Sequence, residues 1–382
     1  MRIKNGWRLA AGILAALLAA VALTVGIAAA EPLGGTQSCL AARNAAEIRF
    51  RIPEILFPGA KEGAECDPAA RPEEKKPFEG RKLIPGGGVF GVRIACDGVL
   101  VVGRREGGSA GFEAGLRPGD MIVSVDQKKI ASVHDLIEAV TDAKGRPLEL
   151  SVLREDKTVR ITVSPVQYDG GDWQLGIFVR DNAAGIGTVT FVDPETGSFG
   201  GLGHAIGDGK TGKPIRLKHG TVTGVILDGI ERGKAGEPGE LRGMLRPGGI
   251  GTVLSNTECG VFGRLSEIPA GEALTVAAPE EVREGRATIL CTLKNGARGE
   301  YAVELGDLRS EAGCARCFSV RVTDPALLEL TGGIVRGMSG SPILQDGRLV
   351  GAVTHVMVSD PTRGYGIYLD SMLRAMKEGG RA

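Results

Sequence analysis

The amino-acid sequence predicts a mainly β protein: an apolar N-terminal helix, then two successive regions of short strands. Sixty glycines stand against only 4% aromatic residues, and short Val/Ile/Leu/Thr runs alternate with glycine turns instead of following a helical period. A strand and sharp turn run through Thr188–Val192 and Asp193-Pro194-Glu195-Thr196-Gly197. Further strands are expected at 221–227, 287–293, 301–305 and 318–322.

The N-terminal element comes first. Arg2, Lys4 and Arg8 precede an uncharged run from Leu9 to Ala30, long enough to cross a hydrocarbon core as a helix. Positive charge on its N-terminal side predicts that the bulk of the chain lies on the extracytoplasmic side. Ala28-Ala29-Ala30 also resembles a signal-peptidase site, so residues 1–30 are expected to be either an anchor or a cleaved signal. Residues 31–80, with Pro53, Pro58, Pro68, Pro72, Pro77 and the charge run Arg71–Lys76, are expected to form an extended tether.

With 46 basic and 46 acidic side chains the chain has zero formal charge, which argues against nucleic acid as a partner. The odd number of cysteines, seven, rules out complete pairing within one molecule; Cys39 with Cys66 is one disulfide an exported chain could form. Cys314-Ala315-Arg316-Cys317 lacks a second CxxC or a histidine at finger spacing, so no metal or other cofactor is expected.

Residues 81–166 carry a glycine loop, Pro85-Gly86-Gly87-Gly88-Val89-Phe90-Gly91, then strands, a helical stretch at 133–140 and two late strands. The run Ala114-Gly115-Leu116-Arg117-Pro118-Gly119-Asp120-Met121-Ile122-Val123-Ser124-Val125-Asp126 resembles the circularly permuted bacterial PDZ domain. That resemblance implies peptide capture by β-addition, with the backbone of Gly88, Val89, Phe90 and Gly91 as the carboxylate-binding loop.

Residues 167–382 form the second region, and Gly337-Met338-Ser339-Gly340-Ser341-Pro342 is its most telling segment. Glycines on both sides of a serine let the backbone turn sharply, so that successive N–H groups face one point while the hydroxyl stands clear. A serine needs a base, and the chain has four histidines. His134 falls in the expected PDZ helix and His219 in a Lys-rich turn. His204, in Gly200-Gly201-Leu202-Gly203-His204-Ala205, is flanked by small residues that admit other backbone and is the expected general base; His355 is the alternative. Asp324, closing the strand before the serine segment, is the expected orienting acid, with Asp193, Asp208 and Asp360 as competitors in turns. Ser341 is the rival nucleophile, and the amides of Gly337 and Ser339 are the expected oxyanion hole. Strand count and the order histidine, aspartate, serine predict a chymotrypsin-like double β-barrel.

The segments 190–206 and 322–356 together resemble the stage IV sporulation protein B family of PDZ-containing serine peptidases. The resemblance implies catalytic roles for His204, Asp324 and Ser339, and export to the space between the two spore membranes. It also implies cleavage of a protein that regulates a membrane-embedded metalloprotease, self-cleavage near the N-terminus, and a PDZ domain that binds the chain's own N-terminal region and the substrate. Two other readings remain: a quality-control protease of the HtrA type, whose PDZ normally follows the protease unit, and a membrane-tethered PDZ scaffold without activity.

Overall fold

The structure is a computed structural model that describes residues 78, 80–155, 157–207, 212, 214–293, 296–309 and 316–379. The expected N-terminal helix, nearly all of the expected tether, and Cys39, Cys66, Asp208 and Cys314 lie outside the described residues. Among the described residues no helix is long and apolar enough to cross a membrane.

The chain is mainly β. In order the strands are β1 (Lys82–Pro85), β2 (Val89–Arg104), β3 (Met121–Val125), β4 (Lys128–Lys129), β5 (Leu148–Arg154), β6 (Lys157–Val163), β7 (Val166–Gln167) and β8 (Trp173–Gln174). There follow β9 (Ile177–Val192), β10 (Ser198–Gly201), β11 (Leu217–Thr223), β12 (Val225–Glu231), β13 (Glu240–Leu245), β14 (Gly251–Thr257), β15 (Gly260–Leu265) and β16 (Leu274–Thr275). The last six are β17 (Gly285–Thr292), β18 (Arg298–Gly306), β19 (Phe318–Val322), β20 (Pro342–Gln345), β21 (Arg348–Val356) and β22 (Arg363–Tyr368).

Two six-stranded barrels result. In the first, β9-β10-β15-β14-β11-β2 closes on itself because β2 also pairs with β9. The second is the closed ring β17-β18-β19-β22-β21-β20. Each has its own apolar core: Phe90, Ile94, Val189, Phe199 and Val261 fill the first, and Ile289, Val303, Phe318, Val353 and Ile367 fill the second. The PDZ sheet has a third core around Val101, Ile122, Leu136, Leu150 and Val152, under the helix Val133–Asp142. That helix begins where Ser132 and Asp135 make a capping box, each side chain accepting the other's backbone N–H.

The expected division at residues 81–166 and 167–382 is not how the strands are shared. β1 pairs with β9 and β16 and so extends the first barrel's sheet, and the first half of β2 belongs to that barrel, Val89–Ala95 pairing with β9 and Gly91–Cys96 with β11. The PDZ elements are inserted between the two halves of β2 and the two halves of β9. Each of these strands has 16 residues, about 50 Å of extended chain, enough to serve two sheets. The β2–β9 register shifts between Ala95 and Leu100, where Gly98 takes a positive φ of 136° and the strand passes from one sheet to the other. Phe78, at the end of the expected tether, is buried in the core of the second barrel.

Candidate active site

The serine segment follows a helix, Pro325–Thr331, whose boundaries are written in its sequence. Asp324 caps its N-terminus, Pro325 occupies the first turn, and Gly332 ends it with a left-handed φ of 76°. The chain then turns through Gly337 (φ 96°) and Gly340 (φ 95°) before β20. A Cβ on Gly340 would lie 2.0 Å from the carbonyl oxygen of Thr188 and 2.5 Å from the amide of Leu202. Only glycine allows that approach.

The histidine segment follows β10. Leu202 (φ 66°) and Gly203 (φ 70°) both have left-handed backbone, which turns His204 inward. A Cβ on Gly203 would lie 2.8 Å from the methyl of Thr354, so this loop rests against the second barrel. Asn256 on β14 holds it from behind: its Oδ1 accepts from Ile206 N at 2.8 Å, and its Nδ2 donates to the carbonyls of Ile206 and Ile215, both at 2.9 Å. Sequence reasoning missed Asn256, because nothing in a strand pattern marks one asparagine as a loop clamp.

Ser339 and His204 both reach β21. The Ser339 hydroxyl donates to the carbonyl of Thr354 at 2.7 Å. The next residue is His355, whose ring centroid lies 5.0 Å from that of His204. Ser339 and His204 are 6% and 5% exposed. His204 Nδ1 lies 2.8 Å from the carbonyl oxygen of Ala205. A carbonyl only accepts, so Nδ1 carries the proton and Nε2 is left as the basic nitrogen. Burial lowers the His204 pKa, partly offset by the Ala205 carbonyl. That of His355 lies well below the ordinary histidine value, through burial and the nearby charges of His204 and Arg316.

The other expected site residues lie as follows. The amides of Gly337 and Ser339 take part in none of the loop's hydrogen bonds among the described residues, while Met338 N, Gly340 N and Ser341 N are all bonded. Ser341 is fully buried beneath the hairpin, its Oγ without a hydrogen-bond partner. Asp324 requires a correction. Its carboxylate accepts from Ala326 N at 2.9 Å, Leu327 N at 3.0 Å and Ala302 N at 3.2 Å, and none of its bonds runs to His204. Its charge acts instead on Cys291 and Tyr301. The amides of a helix start compete for a carboxylate, and here they win. Asp193 pairs with Arg81 and accepts from Glu195 N and Thr196 N, and Asp360 accepts from Thr362; both are turn residues, as their sequence contexts suggest. His134 and His219 are exposed.

The PDZ loop is a second correction. Val89, Phe90 and Gly91 pair with Thr188, Gly187 and Ile186 in the first barrel, Gly88 accepts from Val189 N, and Phe90 is buried against Phe199. A capture loop stands at the edge of the PDZ sheet, whereas Val89–Gly91 is a strand of the first barrel. The free edge is elsewhere. Ile177–Arg180 pairs with β2 on one side alone among the described residues, beside the helix Val133–Asp142, whose Val133 N donates to Asp181 at 2.8 Å. Gly176 (φ 67°) turns into this strand, and Phe178 and Ile137 are 57% and 55% exposed. The signal in the sequence was Leu175-Gly176-Ile177-Phe178, a glycine turn opening an apolar strand.

A serine loop and a histidine loop that meet between two β-barrels, with a PDZ domain inserted in the first, define a PDZ-bearing serine peptidase. The chain belongs to the SpoIVB peptidase S55 family, whose model matches residues 171–373, more than half of its length. The PDZ domain model matches residues 88–164.

Among curated proteins the chain is 38% identical over 53 residues to the regulator of sigma-W protease RasP of Bacillus subtilis, covering 14% of this chain and 13% of that one. It is 34% identical over 58 residues to the mitochondrial serine protease HTRA2 of Drosophila virilis, covering 15% and 14%. The chain spans about a fifth or less of the length of the curated relatives it matches. Of solved structures, the active form of the Rv3671c protease of M. tuberculosis is similar at 15% identity and a TM-score of 0.31, covering 52% of this chain and 75% of that one.

Proposed function

We propose that this serine peptidase cuts a regulatory protein on the extracytoplasmic side of a membrane, and its own N-terminal region, so that cleavage releases a membrane-embedded metalloprotease into action during sporulation. One observation carries the catalytic part: Ser339 and His204 come from loops of different barrels to the same two residues of β21, Thr354 and His355. Family membership and the apolar run Leu9–Ala30 support the setting.

In this reading Ser339 Oγ attacks the carbonyl carbon of the scissile peptide bond. Its proton leaves the Thr354 carbonyl and passes to Nε2 of His204. The Ala205 carbonyl keeps the Nδ1 proton in place and so fixes the tautomer. The amides of Gly337 and Ser339 receive the oxyanion. His204 then gives its proton to the leaving amine, and water releases the acyl group by the same steps in reverse. Asp324 acts one step back, holding the helix that leads to the serine segment. The PDZ domain takes up a peptide along Ile177–Arg180, extending its sheet by one strand.

The test is mass spectrometry of the products after incubation with the regulator of the metalloprotease, comparing wild type with Ser339→Ala. Wild type should release fragments of the regulator and of its own N-terminus, and the variant neither. Fragments that persist with folded Ser339→Ala would reject Ser339 as the nucleophile.

A further inference from the structure

We propose that Thr188 is a positioning residue for the peptidase reaction, its side chain and backbone tying the nucleophile's loop to the base's loop. This rests on the assignment of Ser339 and His204 above. Thr188 lies on β9, is fully buried, and uses each of its polar groups. Its N–H donates to the carbonyl of Ser339 at 2.9 Å, and its Oγ1 donates to the carbonyl of Gly337 at 2.8 Å. Its carbonyl accepts from Leu202 N at 3.2 Å, two residues before His204. Two strand positions on, Thr190 Oγ1 donates to the carbonyl of Gly340 at 2.8 Å.

The consequence is geometric. A bond to the Gly337 carbonyl fixes the peptide plane between Gly337 and Met338. A bond to the Ser339 carbonyl fixes the plane that follows the nucleophile. With both carbonyls held against β9, the peptide plane between them, which carries the Ser339 amide, is bracketed on both sides. Gly337 has a φ of 96°, and glycine moves readily between backbone wells, so this plane needs an external hold. A valine in place of Thr188 keeps the shape of the side chain but leaves a buried carbonyl without its donor. The Gly337 carbonyl would then seek another partner, and the next peptide plane, which carries the Ser339 amide, would shift with it.

The experiment measures labelling by a fluorophosphonate probe, with the adduct mapped to its residue, in wild type, Thr188→Val, Thr188→Ser and Ser339→Ala. Two readouts are taken, the rate constant and the end-point stoichiometry, together with thermal melting. Thr188→Val should label Ser339 about 10²-fold more slowly, the scale of a ~1 Å misplacement, while still reaching the wild-type end point. Thr188→Ser restores the hydroxyl and should label within about threefold of wild type. A purely structural role would lower the end point and the melting temperature and leave the rate of the folded fraction unchanged; that result overturns the proposal. So does Thr188→Val labelling at the wild-type rate, with Ser339 still the labelled residue. Should the valine variant not fold, Thr188→Ala removes the hydroxyl without a branched replacement, and the same two readouts decide. Wild type that carries no label at Ser339 would instead sink the nucleophile assignment, and this proposal with it.

Discussion

Ser339 gives its hydroxyl proton to the backbone carbonyl of Thr354, 2.7 Å away, and not to the ring of His204. The proposed nucleophile is thus held one residue from His355, the imidazole that lies against the proposed base, His204. A neutral hydrogen bond of this kind contributes about 1 kcal/mol, so bound substrate can displace it.

The base must be neutral to accept the proton, and burial makes His204 harder to charge than an ordinary histidine of pKa 6.5. The rate of fluorophosphonate labelling should therefore reach half-height below pH 6.5. The fold should follow the same sign. His204 and His355 both bind protons less readily folded than unfolded. Their contribution to stability is complete above about pH 6.5 and declines as pH falls below it. Denaturant melts at pH 7.5 and 5.0 check the second statement; a midpoint of labelling above 6.5 would refute the first.

Asp324 should behave as a helix cap. Asp324→Ala should cost about 1 kcal/mol of stability, and Asp324→Asn or Asp324→Ser, which can still accept from the helix amides, should cost less. Labelling of Ser339, corrected for the folded fraction, should stay within about tenfold of wild type in all three, whereas loss of an orienting carboxylate lowers turnover by ~10⁴-fold. Thermal melts with parallel labelling separate the two roles.

Gly340 and Gly347 offer a matched pair. Both have positive φ, 95° and 73°. A Cβ at Gly347 meets nothing within 4 Å, so Gly347→Ala should cost only the ~1–2 kcal/mol of a left-handed alanine. At Gly340 the same Cβ would strike the Thr188 carbonyl and the Leu202 amide. Gly340→Ala should therefore push the serine and histidine loops apart and abolish labelling. Equal effects of the two substitutions in labelling and melting would contradict this.

The exposed Phe178 should contribute to peptide capture. Phe178→Glu should weaken binding of a peptide spanning residues 31–50 of this chain by about tenfold, equivalent to ~1.4 kcal/mol, without lowering the melting temperature. Fluorescence anisotropy measures it. Unchanged affinity would place the peptide elsewhere than Ile177–Arg180.

Much of this was legible in the chain. Glycines around Ser339 announced a tight turn because few other residues tolerate that backbone, and the small residues before His204 announced a close approach. Alternating strands and the helical spacing at 133–140 likewise report local chemistry, and the structure contains them. Asp324 shows the limit of such reading. An aspartate before a proline can cap a helix or orient a histidine, and only the folded chain shows whose amides reach it. The glycine loop at Gly88–Gly91 shows the same limit at a larger scale: a glycine-rich strand start looks alike in a PDZ domain and in a barrel. The sequence alone determined the turn around Ser339, the close-packed loop before His204 and the mainly β class, since these depend on neighbours along the chain. The tertiary structure decided that β2 and β9 each serve two sheets, and that Thr188 and Asn256 hold the serine and histidine loops. Those contacts join residues far apart in sequence, and no local pattern encodes which distant strand will supply the partner.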